Sequence, residues 1–185
     1  MQSYSASDTA AGPGGFRKKH LFWLIGGVIG LYVAYQVIVL LIVVYVVQPV
    51  RVEGKAMSPT LDNGDKVFML KRFDEIKRGD IIVHLFPEDT SKSYIKRVVG
   101  LPGETLEIRD GRVYINGQLL EEPYMQPDYF SQDTLNPVKI APDHYFVLGD
   151  NRRNSSDSRY WGTVARPLVY GKYWYRYWKQ AAPTN

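Results

Sequence analysis

From Leu21 to Val47 the chain carries no charge, and only Gln36 within that run is strongly polar. Nothing else in the sequence constrains the fold as tightly. At about 1.5 Å of rise per residue, such a run makes roughly 40 Å of helix, more than the ~30 Å of a bilayer's hydrocarbon core. A core helix of that length carries a polar stripe, and this run has none. A cleaved secretory signal has an apolar region about half as long, followed by a small-x-small site. The residues after Val47 are Gln48-Pro49-Val50-Arg51-Val52, which offer no such site. The run therefore reads as an uncleaved transmembrane signal anchor. Arg17, Lys18, Lys19 and His20 precede it. By the positive-inside rule the N-terminus is cytoplasmic and residues 49 to 185 lie outside, with Arg51 and Lys55 weighing slightly the other way. Residues 1 to 15, small, polar and Gly/Pro-rich, read as disordered. With the basic cluster they make a cytoplasmic tail through residue 20.

Beyond the anchor the pattern is β. Lys66 to Leu70, Asp80 to Leu85, Tyr94 to Val99 and His144 to Leu148 are short apolar or alternating runs punctuated by Gly, Pro and Asp. Asp110-Gly111 and Asn116-Gly117 bracket Arg112 to Ile115, and both dipeptides supply the positive φ of primed hairpin turns. No amphipathic helix stands out after residue 48, and there is no internal repeat. Glu121 to Asn136 reads as an extended loop. The expected fold is mainly β, an antiparallel sheet domain behind one N-terminal transmembrane helix. The net charge of +4 is mostly supplied by Arg17, Lys18 and Lys19, so it does not argue for nucleic acid. With no cysteine there is no disulfide and no thiolate metal site. The run Tyr170 to Lys179, YGKYWYRYWK, has the composition of a membrane-interface belt, and equally of a strand packing aromatics on a core.

Three islands concentrate turn-forming and functional residues. They are Gly54-Lys55-Ala56-Met57-Ser58-Pro59-Thr60-Leu61 with Gly64-Asp65, then Tyr94-Ile95-Lys96-Arg97-Val98-Val99-Gly100-Leu101-Pro102-Gly103-Glu104, then Gly149 to Gly162. Singly, each has a structural reading: a turn between strands, a lysine on a solvated face, a loop of satisfied polar groups. Together, in this order behind an anchor, they resemble the type I signal peptidase (bacterial leader peptidase) family, whose marks are Ser-Met-x-Pro-Thr-Leu-x-x-Gly-Asp, Tyr-Ile-Lys-Arg-x-Val-Gly-Leu-Pro-Gly-Asp/Glu and Gly-Asp-Asn-Arg-x-x-Ser-x-Asp-Ser-Arg-x-x-Gly. The resemblance covers residues from about 17 to 170.

The resemblance implies a membrane-bound serine peptidase that removes signal peptides from exported preproteins, cutting after small-x-small motifs with a Ser-Lys dyad and no cofactor or metal. The family's nucleophilic serine falls on Ala56, its general-base lysine on Lys96, and a serine that orients the lysine on Ser155. Asp157, Ser158 and Arg159 brace the site, with Asp150, Asn151 and Arg152 as further support. Gly54 stands where some members carry an oxyanion-hole hydroxyl, so the hole relies on main-chain N–H groups, notably that of Ala56. Val52, Met57, Leu61, Tyr94 and Ile95 fall at or near the small-residue pockets, and some are also core. The peptide is expected to bind extended, pairing with strand edges near residues 52 to 54 and 93 to 95. The implied partners are signal peptides of secretory preproteins, the lipid bilayer and the export machinery, at a bacterial plasma membrane. Larger members insert a second domain between the second and third motifs. Here that interval admits only a small hairpin subdomain, about residues 106 to 141.

Two departures matter. Arg153 stands where many members carry Asp, a surface position. Ala56 has no atom that can attack a carbonyl, so the chain as written is expected to bind substrate without cutting it. Ser58 is not expected to substitute, because Pro59 and the turn fix its direction. The alanine is either an engineered block or the mark of a natural pseudoenzyme, and the intact surrounding motifs favour the former. A natural receptor or scaffold for exported precursors is the alternative. A self-cleaving regulator of the repressor type shares the dyad but lacks an anchor and carries a DNA-binding domain. The chemistry requires Lys96 to be depressed from a pKa of about 10.4 to about 7–8, roughly 3–5 kcal/mol of bias against the charged form. Its apolar neighbours suit that, and strand alternation sends Arg97 to the other face. His20, His84 and His144 lie in no catalytic motif and read as non-catalytic.

Overall fold

The computed structural model describes residues 16–181, so the tail read as disordered at residues 1 to 15 lies outside the described residues. The chain divides into two units, one ending at Ile42 and one beginning at Val43. The first is the greater part of helix α1 (Phe16–Tyr45), whose side chains from Lys19 onward are exposed throughout. An apolar helix without a buried face has no protein core to join, which is the pattern of a membrane helix. The helix stops at Tyr45, slightly short of the expected Val47. Val47 instead opens the first strand and is buried there.

Among the described residues the second unit holds eleven strands: β1 (Val47–Arg51), β2 (Lys66–Leu70), β3 (Ile81–Phe86), β4 (Asp89–Gly100), β5 (Thr105–Arg109), β6 (Arg112–Ile115), β7 (Gln118–Leu119), β8 (Leu135–Lys139), β9 (His144–Leu148), β10 (Val164–Ala165) and β11 (Val169–Trp178), with a one-turn helix α2 (Ser158–Trp161). Seven form one antiparallel sheet in the order β1-β2-β11-β3-β4-β9-β10, and four form a second in the order β7-β6-β5-β8. The mainly β, antiparallel expectation holds. Pro49 is tolerated in β1 because β1 is an edge strand, where a missing N–H breaks no ladder. Asp110-Gly111 and Asn116-Gly117 take φ of 47° and 75°, and of 50° and 80°, as primed turns demand.

β3 runs through the middle of the larger sheet and is buried on both faces. Ile81 and Val83 join Val52, Met57, Leu61, Val67 and Met69 in one core, while Ile82 joins Ile76, Val98, Tyr145, Val147, Val164 and Val169 in another. A third core sits under the smaller sheet around Leu106, Ile108, Val113 and Phe146. The aromatic C-terminal run is a strand. β11 lies between β2 and β3, buries Val169 and Gly171, and leaves Trp174, Tyr175, Tyr177 and Trp178 exposed.

Candidate active site

The first island is a turn hung on the core by two anchors. Met57 and Leu61 are each 1% exposed, and Leu61 N–H donates to the Met57 carbonyl at 2.9 Å. Val52 and Gly64–Asp65 close the loop through Val52 N–H to Asp65 O and Gly64 N–H to Val52 O, both 2.8 Å. Gly54 takes φ +83°, which only glycine adopts without strain, and its N–H donates to Asn63 Oδ1 at 2.9 Å. That bond commits the Gly54 donor to the turn itself. The Ala56 N–H, by contrast, makes no hydrogen bond among the described residues. Ser58 is buried and donates its hydroxyl to Asp62 at 2.7 Å, so it has a structural partner of its own.

The third island grips that turn. Asn151 donates its backbone N–H to the Ala56 carbonyl at 3.0 Å and its side-chain amide to the Lys55 carbonyl at 3.1 Å. Gly149 is the point of closest approach. A Cβ built there would lie 2.5 Å from Ala56 O, and closer still to Ser155 Oγ. Ala56 and Ser155 therefore meet across a residue that has no side chain. Asp150 accepts from Arg97 Nε at 2.8 Å, from Arg97 Nη2 at 2.6 Å and from Thr60 Oγ1 at 2.6 Å, tying the first, second and third islands together in one buried group. Asp157, wholly buried, accepts from Gly149 N–H at 3.1 Å and pairs with Arg159 Nε at 2.7 Å. Arg159 also donates to the Arg152 and Ser155 carbonyls, which straps the loop, and Ser158 Oγ accepts from Val147 N–H at 3.0 Å. Arg153 is exposed.

Lys96 lies on β4, 4% exposed. Burial pushes its pKa down to about 8. The Asp157 carboxylate works against that shift and the Arg159 guanidinium assists it. Its Nζ sits 5.1 Å from the centre of the Tyr94 ring and makes no ion pair among the described residues. Arg97, one residue on, faces the other way into Asp150 and the Gly79 carbonyl. Ser155 Oγ is buried with no hydrogen-bond partner among the described residues. The expected Ser155–Lys96 hydrogen bond is thus not made in this structure, where the amine lies over the Tyr94 ring instead. Of the pocket candidates, Val52, Met57 and Leu61 are core, while Ile95 and Tyr94 keep part of their surface exposed.

Residues that the sequence did not single out brace this assembly. Arg152 is buried against Glu122, Arg159 reaches Asp133, and the Arg97 guanidinium stacks 3.9 Å from the Tyr124 ring centre. All three partners come from the stretch read as an extended loop. The one sequence signal was the need of buried arginines for carboxylates, which does not say where in the chain they lie.

Residues 25–178 match the family model described as signal peptidase, peptidase S26. A signal peptidase I of Bacillus amyloliquefaciens is 41% identical over 168 residues, covering 84% of this chain and 84% of its own. Signal peptidase I S of Bacillus subtilis (strain 168) is 43% identical over 135 residues, 66% of this chain and 72% of its own. A crystal structure of a signal peptidase I from Enterococcus faecalis V583 is 37% identical and covers 54% of this chain and 97% of that one, with a TM-score of 0.47.

Proposed function

The chain belongs to the signal peptidase I family, peptidase S26, and from that premise we propose that it is a signal peptide-binding member whose Ser-Lys machinery is complete but for the nucleophile. The observation that carries the reading is Lys96: a buried amine, free of any ion pair among the described residues, with its pKa held near 8 by burial. A serine at position 56 would present its hydroxyl to that amine. Neutral Lys96 takes the proton as Oγ bonds to the scissile carbonyl carbon, and the Ala56 N–H, otherwise without a partner among the described residues, donates to the resulting oxyanion. The Lys96 ammonium then protonates the leaving amine. Water, deprotonated by Lys96 in its turn, hydrolyses the acyl-enzyme. Ser155 orients the amine when the site is filled. With alanine at position 56 none of these bonds can form, so the chain holds a preprotein without cutting it.

The helix Phe16–Tyr45 anchors the protein with its N-terminus in the cytoplasm and the β unit outside the membrane, beside the export machinery. Residues 49 to 185 form the peptidase domain, with a small subdomain at about 106 to 141. The exposed Trp174, Tyr175, Tyr177 and Trp178 of β11 suit contact with the bilayer interface. Val52, Met57, Leu61, Tyr94 and Ile95 shape the small-residue pockets from the core side.

The test is cleavage of a precursor bearing an Ala-x-Ala site, in detergent or liposomes, by the chain and by Ala56→Ser. The chain is expected to be inert, Ala56→Ser to cut after the small residue, and Lys96→Ala in that background to silence it again. If Ala56→Ser stays inert while precursor still binds, the hydrolase reading fails, and a receptor or scaffold for exported precursors takes its place.

A further inference from the structure

The scheme above leaves one neighbour of Lys96 unused. In the pairing of β3 with β4, Ile82 stands opposite Lys96 and His84 opposite Tyr94. Residues opposite one another, and those two apart on each strand, share a face, so these four side chains point the same way. His84 and Lys96 are the diagonal pair of that set, about 7–8 Å apart at the backbone and within reach of a long side chain. The Tyr94 ring links them: it lies 5.1 Å from Lys96 Nζ and meets the His84 ring edge-on at 6.2 Å. Trp161 closes over His84 at 5.6 Å, and the imidazole is fully buried.

The hydrogen bond of the ring fixes its tautomer. Nδ1 lies 2.8 Å from the Leu85 carbonyl oxygen, which can only accept, so Nδ1 carries the proton. Burial, with a lesser push from the charge of Lys96, holds the His84 pKa down to about 4, so the ring stays neutral at working pH. Nε2 is then a bare lone pair. It is buried and has no partner among the described residues. The other groups that act on Lys96 are Tyr94 on its own strand, and Asp157 and Arg159 at the start of α2. Of these, Asp157 is committed to Arg159 and the Gly149 N–H. An ammonium formed at Lys96 during the reaction is a strong donor in a buried place where few acceptors are uncommitted.

We propose that His84 is a positioning residue for Lys96: its Nε2 accepts a hydrogen bond from the Lys96 ammonium once the lysine has taken the nucleophile's proton, and gives that bond up when the ammonium protonates the leaving nitrogen. The proton passes from hydroxyl to amine to leaving group, and His84 neither gains nor loses one. The proposal deepens the reading of Lys96 as base and rests on it.

The test does not need turnover. The Lys96 Cε resonance of the lysine-labelled full chain, Ala56 in place and held in detergent micelles, is followed against pH and assigned by its loss in Lys96→Ala. His84→Phe fills the cage without an acceptor. His84→Gln carries an amide oxygen to the region of Nε2. The Lys96 midpoint is expected to fall in His84→Phe by roughly half a pH unit, about a threefold shift in its ionisation equilibrium, and to fall by much less in His84→Gln. Near-UV circular dichroism confirms that both variants keep their packing. An unmoved midpoint in His84→Phe, or an equal fall in both variants, overturns the proposal. In the Ala56→Ser chain the acid limb of kcat/KM should move with the midpoint. If that chain is inert, the Ser-Lys reading fails on its own account, and the resonance midpoints still decide for or against the His84–Lys96 contact.

Discussion

Replacing Lys96 with methionine should make the protein more stable while removing the base. In the unfolded chain the amine titrates near its reference value of 10.5, and in the fold burial lowers it to about 8. Between those values the unfolded state binds the proton and the folded state does not, so stability rises with pH across that window. Below about pH 8 both states are charged, and the fold bears the full cost of burying an ammonium. At 1.36 kcal/mol per unit, that cost is roughly 3 kcal/mol. Methionine is of similar length, apolar and flexible, and should fill the same space among Tyr94, Val98 and Ile82. At pH 7 the Lys96→Met chain should therefore unfold roughly 10 °C higher, given a few degrees per kcal/mol for a unit of this size. The gain should shrink from pH 8 upward and vanish by about pH 10.5. Near-UV circular dichroism during heating in micelles, repeated at several pH values, measures it. A gain that does not change with pH, or a loss at pH 7, would refute the claim that Lys96 is held in the fold at the expense of its own charge.

Asp150→Ala strands the Arg97 guanidinium in the interior and should cost about 3–5 kcal/mol, read as a lowered thermal midpoint. Adding Arg97→Met to that variant should return much of the loss, and a double variant no better than Asp150→Ala would tell against the buried pair as the cause. Gly149→Ala forces a methyl against Ala56 O and Ser155, which should destabilise by about 1–3 kcal/mol. In the Ala56→Ser background it should lower kcat on the order of 100-fold through displacement of the nucleophile turn, measured by precursor cleavage. Wild-type-like kcat there would mean that the contact at Gly149 does not set the geometry of the site.

Much of the fold is legible because its signals are local. Lys66–Leu70, Arg112–Ile115 and His144–Leu148 are strands at the residues where their alternation begins and ends, and the two X-Gly turns are where positive φ is needed. Other signals were weaker. β1 follows the anchor after the single turn residue Val46, which is apolar, and contains a proline, so nothing local marks it as a strand. β4 extends back to Asp89, through polar residues held by the pairing of Asp89 and Ser93 with β3 and by the bonds of Ser91 and Lys92 to Asp89. The place of β11 between β2 and β3 is a long-range pairing, and its aromatic composition suited an interface as well as a core. Of the candidate site, the three islands announce themselves by motif. What the sequence could not supply is how their donors are shared. Gly54 N–H goes to Asn63, Asn151 holds both carbonyls of the nucleophile turn, and Glu122, Tyr124 and Asp133 come from an unpatterned stretch to meet the buried arginines. His84 lies in no catalytic motif and reads as non-catalytic in the sequence; its register opposite Tyr94 places it diagonal to Lys96.

The meeting of Ala56 and Ser155 across Gly149 also bears on when such a site comes into being. The clamp on the turn at Ala56 comes from Asn151, and the packing around Lys96's neighbours Ile82 and Val98 comes from Tyr145, Val147, Val164 and Val169, so the chain before β9 can make neither. The residues of the candidate site are therefore all present in the chain only once the third island is in place. An Ala56→Ser chain stopped before Gly149, assayed on a precursor, should accordingly show no cleavage even though it carries both the serine and the lysine.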